Sequence, residues 1–199
     1  MPQLLLRFDM RNPDFGADQR ALYDAALDMA QWADEHGFDA IQISEHHGSD
    51  DGYLPSPIVL AAAMAARTSR IRLRMSLIIL PFHDPLRVAE DLAVLDIISH
   101  GRLEVVVGAG YVPEEFEMFG VELKDRGTLM ESKIAALKNA WSGEAFDYEG
   151  RRARVTRTAS RKISISSINN VPPRRARATV KKTGPPFSLG RRYCDMDTD

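Results

Sequence analysis

The sequence predicts an α/β fold built from parallel βα units, on three observations. Strand-like apolar runs begin near residues 4, 39, 71 and 102, about 31 to 35 residues apart. That is the period of strand–helix units feeding a parallel sheet. Each run is nearly continuous in apolar residues, as in strands covered on both faces. The polar and glycine-rich signals fall at the C-terminal ends of the strands, where a (β/α)8 barrel of the TIM type builds its active site. Open doubly wound sheets bind ligands at the same edge, but no G-x-G-x-x-G follows the first strand.

Residues 4–8 (LLLRF) read as a buried strand. A helix over residues 18–37 follows, with Leu22, Ala26, Met29 and Ala33 at helical spacing. Asp18 is its N-cap, and Gly37 its C′ residue, free to take positive φ. Residues 39–44 form the second strand and 56–69 the second helix, with Ser56 capping and Pro57 in the first turn. Residues 71–80 form the third strand, and 84–99 a helix opened by Asp84-Pro85. The fourth strand, 101–110, runs into glycines; further helix covers 114–120 and 126–143. AFDYEGRRARVT reads as a hairpin around Glu149-Gly150.

Beyond residue 155 this beat is lost. Residues 1–150 hold 13 basic and 25 acidic side chains, a balance of −12, whereas residues 151–199 hold 13 and 3, a balance of +10. Residues 156–199 are rich in Arg, Ser, Thr and Pro, with one alternating run, KISIS. This is the makeup of a basic tail that cannot bury enough apolar surface to order itself. A shifted reading frame would read the same way. Nucleic-acid binding is disfavoured, because no aromatic residues or known RNA-binding module accompany the basic clusters. The expected division is a partial barrel over 1–155 and a low-order tail over 156–199.

Across the chain, 44% of residues are hydrophobic and 27% charged, which suits a soluble domain. No run approaches 18 apolar residues, which argues against a membrane span. One cysteine, Cys194, makes neither an internal disulfide nor a cysteine metal site, as expected of a cytoplasmic protein.

Chemistry is concentrated at the exit of the second strand, in Glu45, His46 and His47. Neighbouring strand residues point to opposite faces, so the two imidazoles converge on a metal only if the chain bends sharply. His36, His83 and His100 belong to no recognised ligand motif, so no metal is expected. A single imidazole titrates near neutrality, and an adjacent carboxylate can fix its tautomer, which suits proton transfer. The competing structural reading is that both rings hydrogen-bond backbone at a strand end.

Two further stretches, SLIILPFHDPLRVAEDLAVLD (76–96) and GRLEVVVGAGYVPEEFEMFG (101–120), change that balance. With Glu45-His46-His47 they resemble the bacterial luciferase-like flavin monooxygenase family, in order and register from about residue 20 to 155. The resemblance implies a (β/α)8 barrel with a flavin at its C-terminal mouth. It places His46 beside the flavin as the catalytic histidine, with Glu45 and His47 completing the motif. It makes Ser76-Leu77 a non-proline cis peptide under the ring, and runs Gly108, Ala109, Gly110 and Tyr111 along the cofactor. Small residues in such a loop let backbone N–H groups approach a flat ring closely. Ala109 stands where the family often has an arginine.

A complete barrel takes about 250 residues, so four units amount to its first half. Half a barrel would leave two edges and an apolar inner face uncovered. The implied activity is oxygenation of a small organic substrate by reduced FMN and dioxygen, with His46 as acid/base. A flavin reductase would supply the cofactor, and the chain would assemble as a homo-oligomer. Two alternatives remain open: hydride transfer through the deazaflavin coenzyme F-420, and a truncated non-catalytic remnant or partner-assembled half barrel.

Overall fold

The computed structural model describes residues 3–155 and 163–168. In chain order the elements are β1 (Leu5–Phe8), α1 (Gln19–Glu35), β2 (Ala40–Ile43), α2 (Pro57–Arg67), β3 (Arg72–Ile79) and α3 (Pro85–Ile98). Then come β4 (Leu103–Gly108), α4 (Pro113–Met118), α5 (Arg126–Ala140), β5 (Phe146–Tyr148), β6 (Arg151–Ala153) and β7 (Ser164–Ile168). Five strands form one parallel sheet in the order β1-β2-β3-β4-β7. This is the arrangement expected of successive βα units. β5 and β6 pair antiparallel around Glu149 and Gly150, both at positive φ (49° and 72°), as a two-residue hairpin turn requires.

The fifth strand corrects the count of four. KISIS lies in the stretch assigned to the tail, yet residues 164–168 pair with β4 from Glu104↔Ser164 to Gly108↔Ile168. Its alternating pattern is a strand signal in its own right; the basic composition around it obscured that signal. Residues 156–162 and 169–199, where the rest of the expected tail falls, lie outside the described residues.

The helix caps follow local chemistry. The Asp18 carboxylate accepts the N–H groups of Arg20 and Ala21 at 3.0 and 3.1 Å, and Asp84 those of Leu86 and Arg87 at 2.8 and 3.3 Å. Ser56 holds the N-cap position of α2 but makes no capping bond, so Pro57 at the first helical position marks that start. In α1 the buried face is Ala26, Ala30 and Ala33, whereas Met29 is exposed. The small alanines let the helix axis approach the sheet, and the longer side chain is left outside.

The two sheet faces differ in chemistry. Ile41, Leu73 and Leu103 lie in one register row, and Ile43, Met75 and Val105 in another; all six are buried in the core shared with the helices. Burial of such a side chain contributes about 1.5–3 kcal/mol. On the opposite face the row is Arg7, Gln42, Arg74 and Glu104. Glu104 accepts Arg74 Nε at 2.7 Å and ion-pairs with Arg72. The expected apolar inner face is therefore polar. Period-2 alternation of charge was present in RLRMS but was overridden by the apolar residues between.

At the N-terminal end of the sheet, two side chains lock the connections. Asp34 accepts the N–H groups of Ser69, Arg70 and Ile71 at 2.9, 2.8 and 2.5 Å. Burial acts to raise its carboxyl pKa, but these donors outweigh it and hold the value below the usual one. Arg102 donates to the carbonyls of Ala65, Thr68, Ile71 and Ser99 and to Thr68 Oγ1, at 2.7–3.0 Å. Among the described residues no helix is long and apolar enough to cross a membrane.

The β4–β7 ladder has a direct check. Amide hydrogen exchange at residues 165–168 should be slowed about a hundredfold or more relative to an unstructured peptide. Exchange there at peptide rates would show that the fifth strand does not form.

Candidate active site

The chain leaves β2 through Ser44, Glu45, His46 and His47, whose side chains take opposite directions, as alternation along a strand requires. Glu45 is 2% exposed. Its Oε2 accepts the Ile79 N–H at 2.6 Å, and its Oε1 accepts Nε2 of His47 at 2.9 Å and of His83 at 2.7 Å. Burial works to raise this carboxyl group, but the two imidazoles and the Ile79 amide outweigh it and bring the pKa down to about 2. The loop carrying His83 is held from α5, where Lys133 Nζ donates to the carbonyls of Pro81 and His83, each at 2.7 Å.

His47 lies on this buried side, with its ring edge-on to Phe119 and Phe82 at centroid distances of 4.6 and 5.8 Å. Donor atoms of Glu45, His47 and His83 all lie within 4.8 Å of one another, so among the described residues this trio is the set that could hold a metal. The N···O contacts of 2.7 and 2.9 Å are hydrogen-bond lengths. Donors around a tetrahedral zinc stand about 3.3 Å apart. As placed, each ring donates a proton to the carboxylate.

His46 turns the other way. Its Nδ1 lies 2.7 Å from Glu115 Oε1, which also accepts the His47 N–H at 2.9 Å. Glu115, on α4, is 3% exposed, and its Oε2 has no hydrogen-bond partner among the described residues. A carboxylate at Nδ1 selects the tautomer with the proton there and leaves the Nε2 lone pair free to accept another. Tyr53 and Tyr111 stand edge-on to the imidazole at 4.7 and 6.0 Å.

His46 lines a cleft at the C-terminal ends of the strands, together with Ser76, Leu77, Gly108, Ala109, Gly110 and Tyr111. Arg7, Ser44, Tyr53 and Glu115 line it as well. The Ser76–Leu77 peptide is cis. The β3–β4 register shifts there, Ser76 facing Val106 and Ile78 facing Val107. Leu77, left out of the ladder, packs over Gly108, where a Cβ would meet Leu77 Cδ2 at 2.6 Å. Gly110 has φ 73°, and a Cβ there would lie 2.8 Å from Ile79 Cγ2. These glycines thus answer first to the protein's own packing.

Of the residues singled out in sequence, Glu45 and His46 reach the cleft lining alongside Ser76, Leu77 and Gly108–Tyr111, whereas His47 does not. Sequence reasoning missed Glu115, His83, Arg7 and Tyr53. Glu115 carried a usable signal, an acid one turn after the glycine-rich strand exit. The other three meet the motif across 34 residues or more, or through a loop, and gave none.

A sequence profile of the luciferase-like monooxygenase family matches residues 9–172. The oxygenase component of the flavin-dependent trigonelline monooxygenase of Acinetobacter baylyi is 32% identical over 144 residues, 71% of this chain and 40% of that protein. A monooxygenase from Streptomyces bottropensis superposes with a TM-score of 0.73 at 27% identity, over 84% of this chain and 53% of its own. The oxygenating constituent of 3,6-diketocamphane monooxygenase from Pseudomonas putida, a type II Baeyer-Villiger enzyme solved in complex with FMN, gives 0.69 at 26% identity, over 77% and 43%. The chain thus spans about half the length of these proteins, or less.

The Glu45 network makes a prediction with a defined pH window. A carboxyl pKa lowered from its usual 4.5 to about 2 contributes stability that is complete above pH 4.5 and is lost as pH falls through 2. Glu45→Gln should cost about 2–3 kcal/mol at pH 7, since it leaves buried donors without their acceptor. Urea unfolding of both proteins across pH should show the gap closing between 4.5 and 2. A constant gap would mean that the carboxylate charge is not what stabilises.

Proposed function

We propose that this chain, which belongs to the luciferase-like monooxygenase family, carries the flavin-facing half of an oxygenating active site. The observation that carries the reading is one cleft shared by His46, Ser76, Leu77 and the Gly108–Tyr111 loop. The residues present fit the ring of FMN. Leu77, only partly exposed, offers an apolar surface packed over Gly108, and the Gly108–Tyr111 loop lines the cleft beside it. When bound, reduced FMN supplies the electrons that activate dioxygen.

The chain's own part is acid–base chemistry and exclusion of water. His46 Nε2 accepts a proton from the substrate or returns one, while Glu115 keeps Nδ1 protonated and steadies the imidazolium that results. Tyr53 and Tyr111 narrow the approach to His46. Glu45 and His47 act through position: they hold the strand exit so that His46 faces the cleft. A flavin reductase would supply the reduced cofactor in the cytoplasm. The deazaflavin coenzyme F-420 presents a similar ring, so the choice of FMN rests on the relatives.

Fluorescence titration with FMN and with F-420 tests the cofactor assignment: FMN should bind, and Leu77→Arg should abolish that binding by setting a charge under the ring. Binding of F-420 alone would replace oxygenation by hydride transfer.

With labelled dioxygen and a panel of organic substrates, His46→Ala should lower product formation about 10²–10⁴-fold while FMN affinity stays within a few-fold. His47→Ala should lower stability more than turnover. Equal losses of turnover from the two substitutions would overturn this assignment of roles.

A further inference from the structure

We propose that Arg7 is the anchor for a carboxylate on the organic substrate, so that the preferred substrates are small organic acids. The inference rests on the flavin-site reading above and extends it to substrate class. Arg7 lies on β1, in the polar row of the sheet, and lines the same cleft as His46. Its Nη2 donates to Tyr53 Oη at 3.1 Å and approaches Ser44 Oγ at 3.5 Å, while those two hydroxyls lie 2.9 Å apart. Both partners are neutral. A guanidinium carries five N–H donors and a permanent charge, so two hydroxyls orient it without neutralising it.

Among the described residues no carboxylate forms an ion pair with Arg7, and those around the cleft are engaged by other groups, Glu115 through Oε1 alone. Glu45 serves His47, His83 and the Ile79 amide; Glu115 serves His46 and the His47 amide. Glu104 holds Arg72 and Arg74, and Asp51 holds Arg11. Among the described residues, Arg7 is therefore the cation at this mouth without an anion.

Its position says what the anion belongs to. Tyr53 bridges the two groups: its hydroxyl holds Arg7, and its ring stands edge-on to His46 at 4.7 Å. An anion on Arg7 thus lies one side chain from the proton-transfer group, where the reacting molecule must sit. The phosphate of FMN, at the far end of the ribityl chain from the ring, belongs at a greater distance. A planar carboxylate also suits the two-pronged donor geometry of arginine.

The test compares benzoate with its neutral isostere benzamide, by ligand-observed NMR on the full chain with and without FMN. Benzoate should bind about tenfold or more tightly than benzamide. Arg7→Gln should reduce the preference to less than twofold, Arg7→Lys should restore part of it, and added salt should weaken it. Circular dichroism and thermal melts of the variants establish that they are folded. Equal binding of the two probes to the wild-type chain, or an unchanged preference in a folded Arg7→Gln, overturns the proposal. FMN and riboflavin titrations separate the remaining source of anion. If Arg7→Gln weakens FMN but not riboflavin, Arg7 serves the cofactor phosphate and the substrate assignment fails. If FMN does not bind at all while the benzoate preference stands, the flavin reading fails and the anion site survives.

Discussion

The buried carboxylate of Glu45 is the constraint on which the site depends. It sits where β2 ends, and its three donors come from the loop beyond it, the end of β3 and the end of the β3–α3 connection. A carboxylate removed from water must be fully hydrogen-bonded or give up its charge. Meeting that demand draws His47, His83 and Ile79 together and decides which way the chain turns after Glu45. Once His47 is committed to the buried side, His46 is left to face the cleft, where Glu115 meets it. The orientation of His46 toward the cleft is thus a consequence of satisfying a buried charge on the neighbouring residue.

The same division of labour runs through the whole sheet. At its N-terminal end, Asp34 and Arg102 spend their acceptors and donors on the connections. At its C-terminal end, among the described residues, hydrogen-bonding capacity is in surplus: the second nitrogen of His46, the second oxygen of Glu115 and the remaining donors of Arg7. Buried polar groups are normally satisfied within the protein, so a surplus gathered around one cleft marks where a ligand completes the set.

The polar face of the sheet gives this arrangement its electrostatic setting. Arg72 and Arg74 are neutralised by Glu104 within the sheet, in register rows that also keep the strands aligned. Among the described residues, charge cancels along this row at Glu104, whereas Arg7 has no ion-pair partner. An apolar inner face, as half a barrel was expected to have, would have invited non-specific association. The charged row gives the strands a face compatible with water and with polar partners.

The sequence by itself determined the βα beat, the caps at Asp18 and Asp84, the Glu149-Gly150 turn and the chemistry-bearing exit at His46, while Ser76-Leu77 and Gly108–Tyr111 were singled out by the family resemblance. These are local quantities: periodicity, turn chemistry and short motifs that act over a few residues. It misjudged β7, because basic composition around KISIS outweighed a five-residue alternation whose pairing partner lies about 60 residues earlier. Only the tertiary structure decided that His47 turns to the buried Glu45 while His46 faces the cleft, that Glu115 meets His46 Nδ1, and that Arg7 has no ion-pair partner among the described residues. Each of those facts depends on which groups meet across 38 to 69 residues of chain. Hydrogen bonding and burial of charge are settled by that meeting, and no pattern along the chain encodes it.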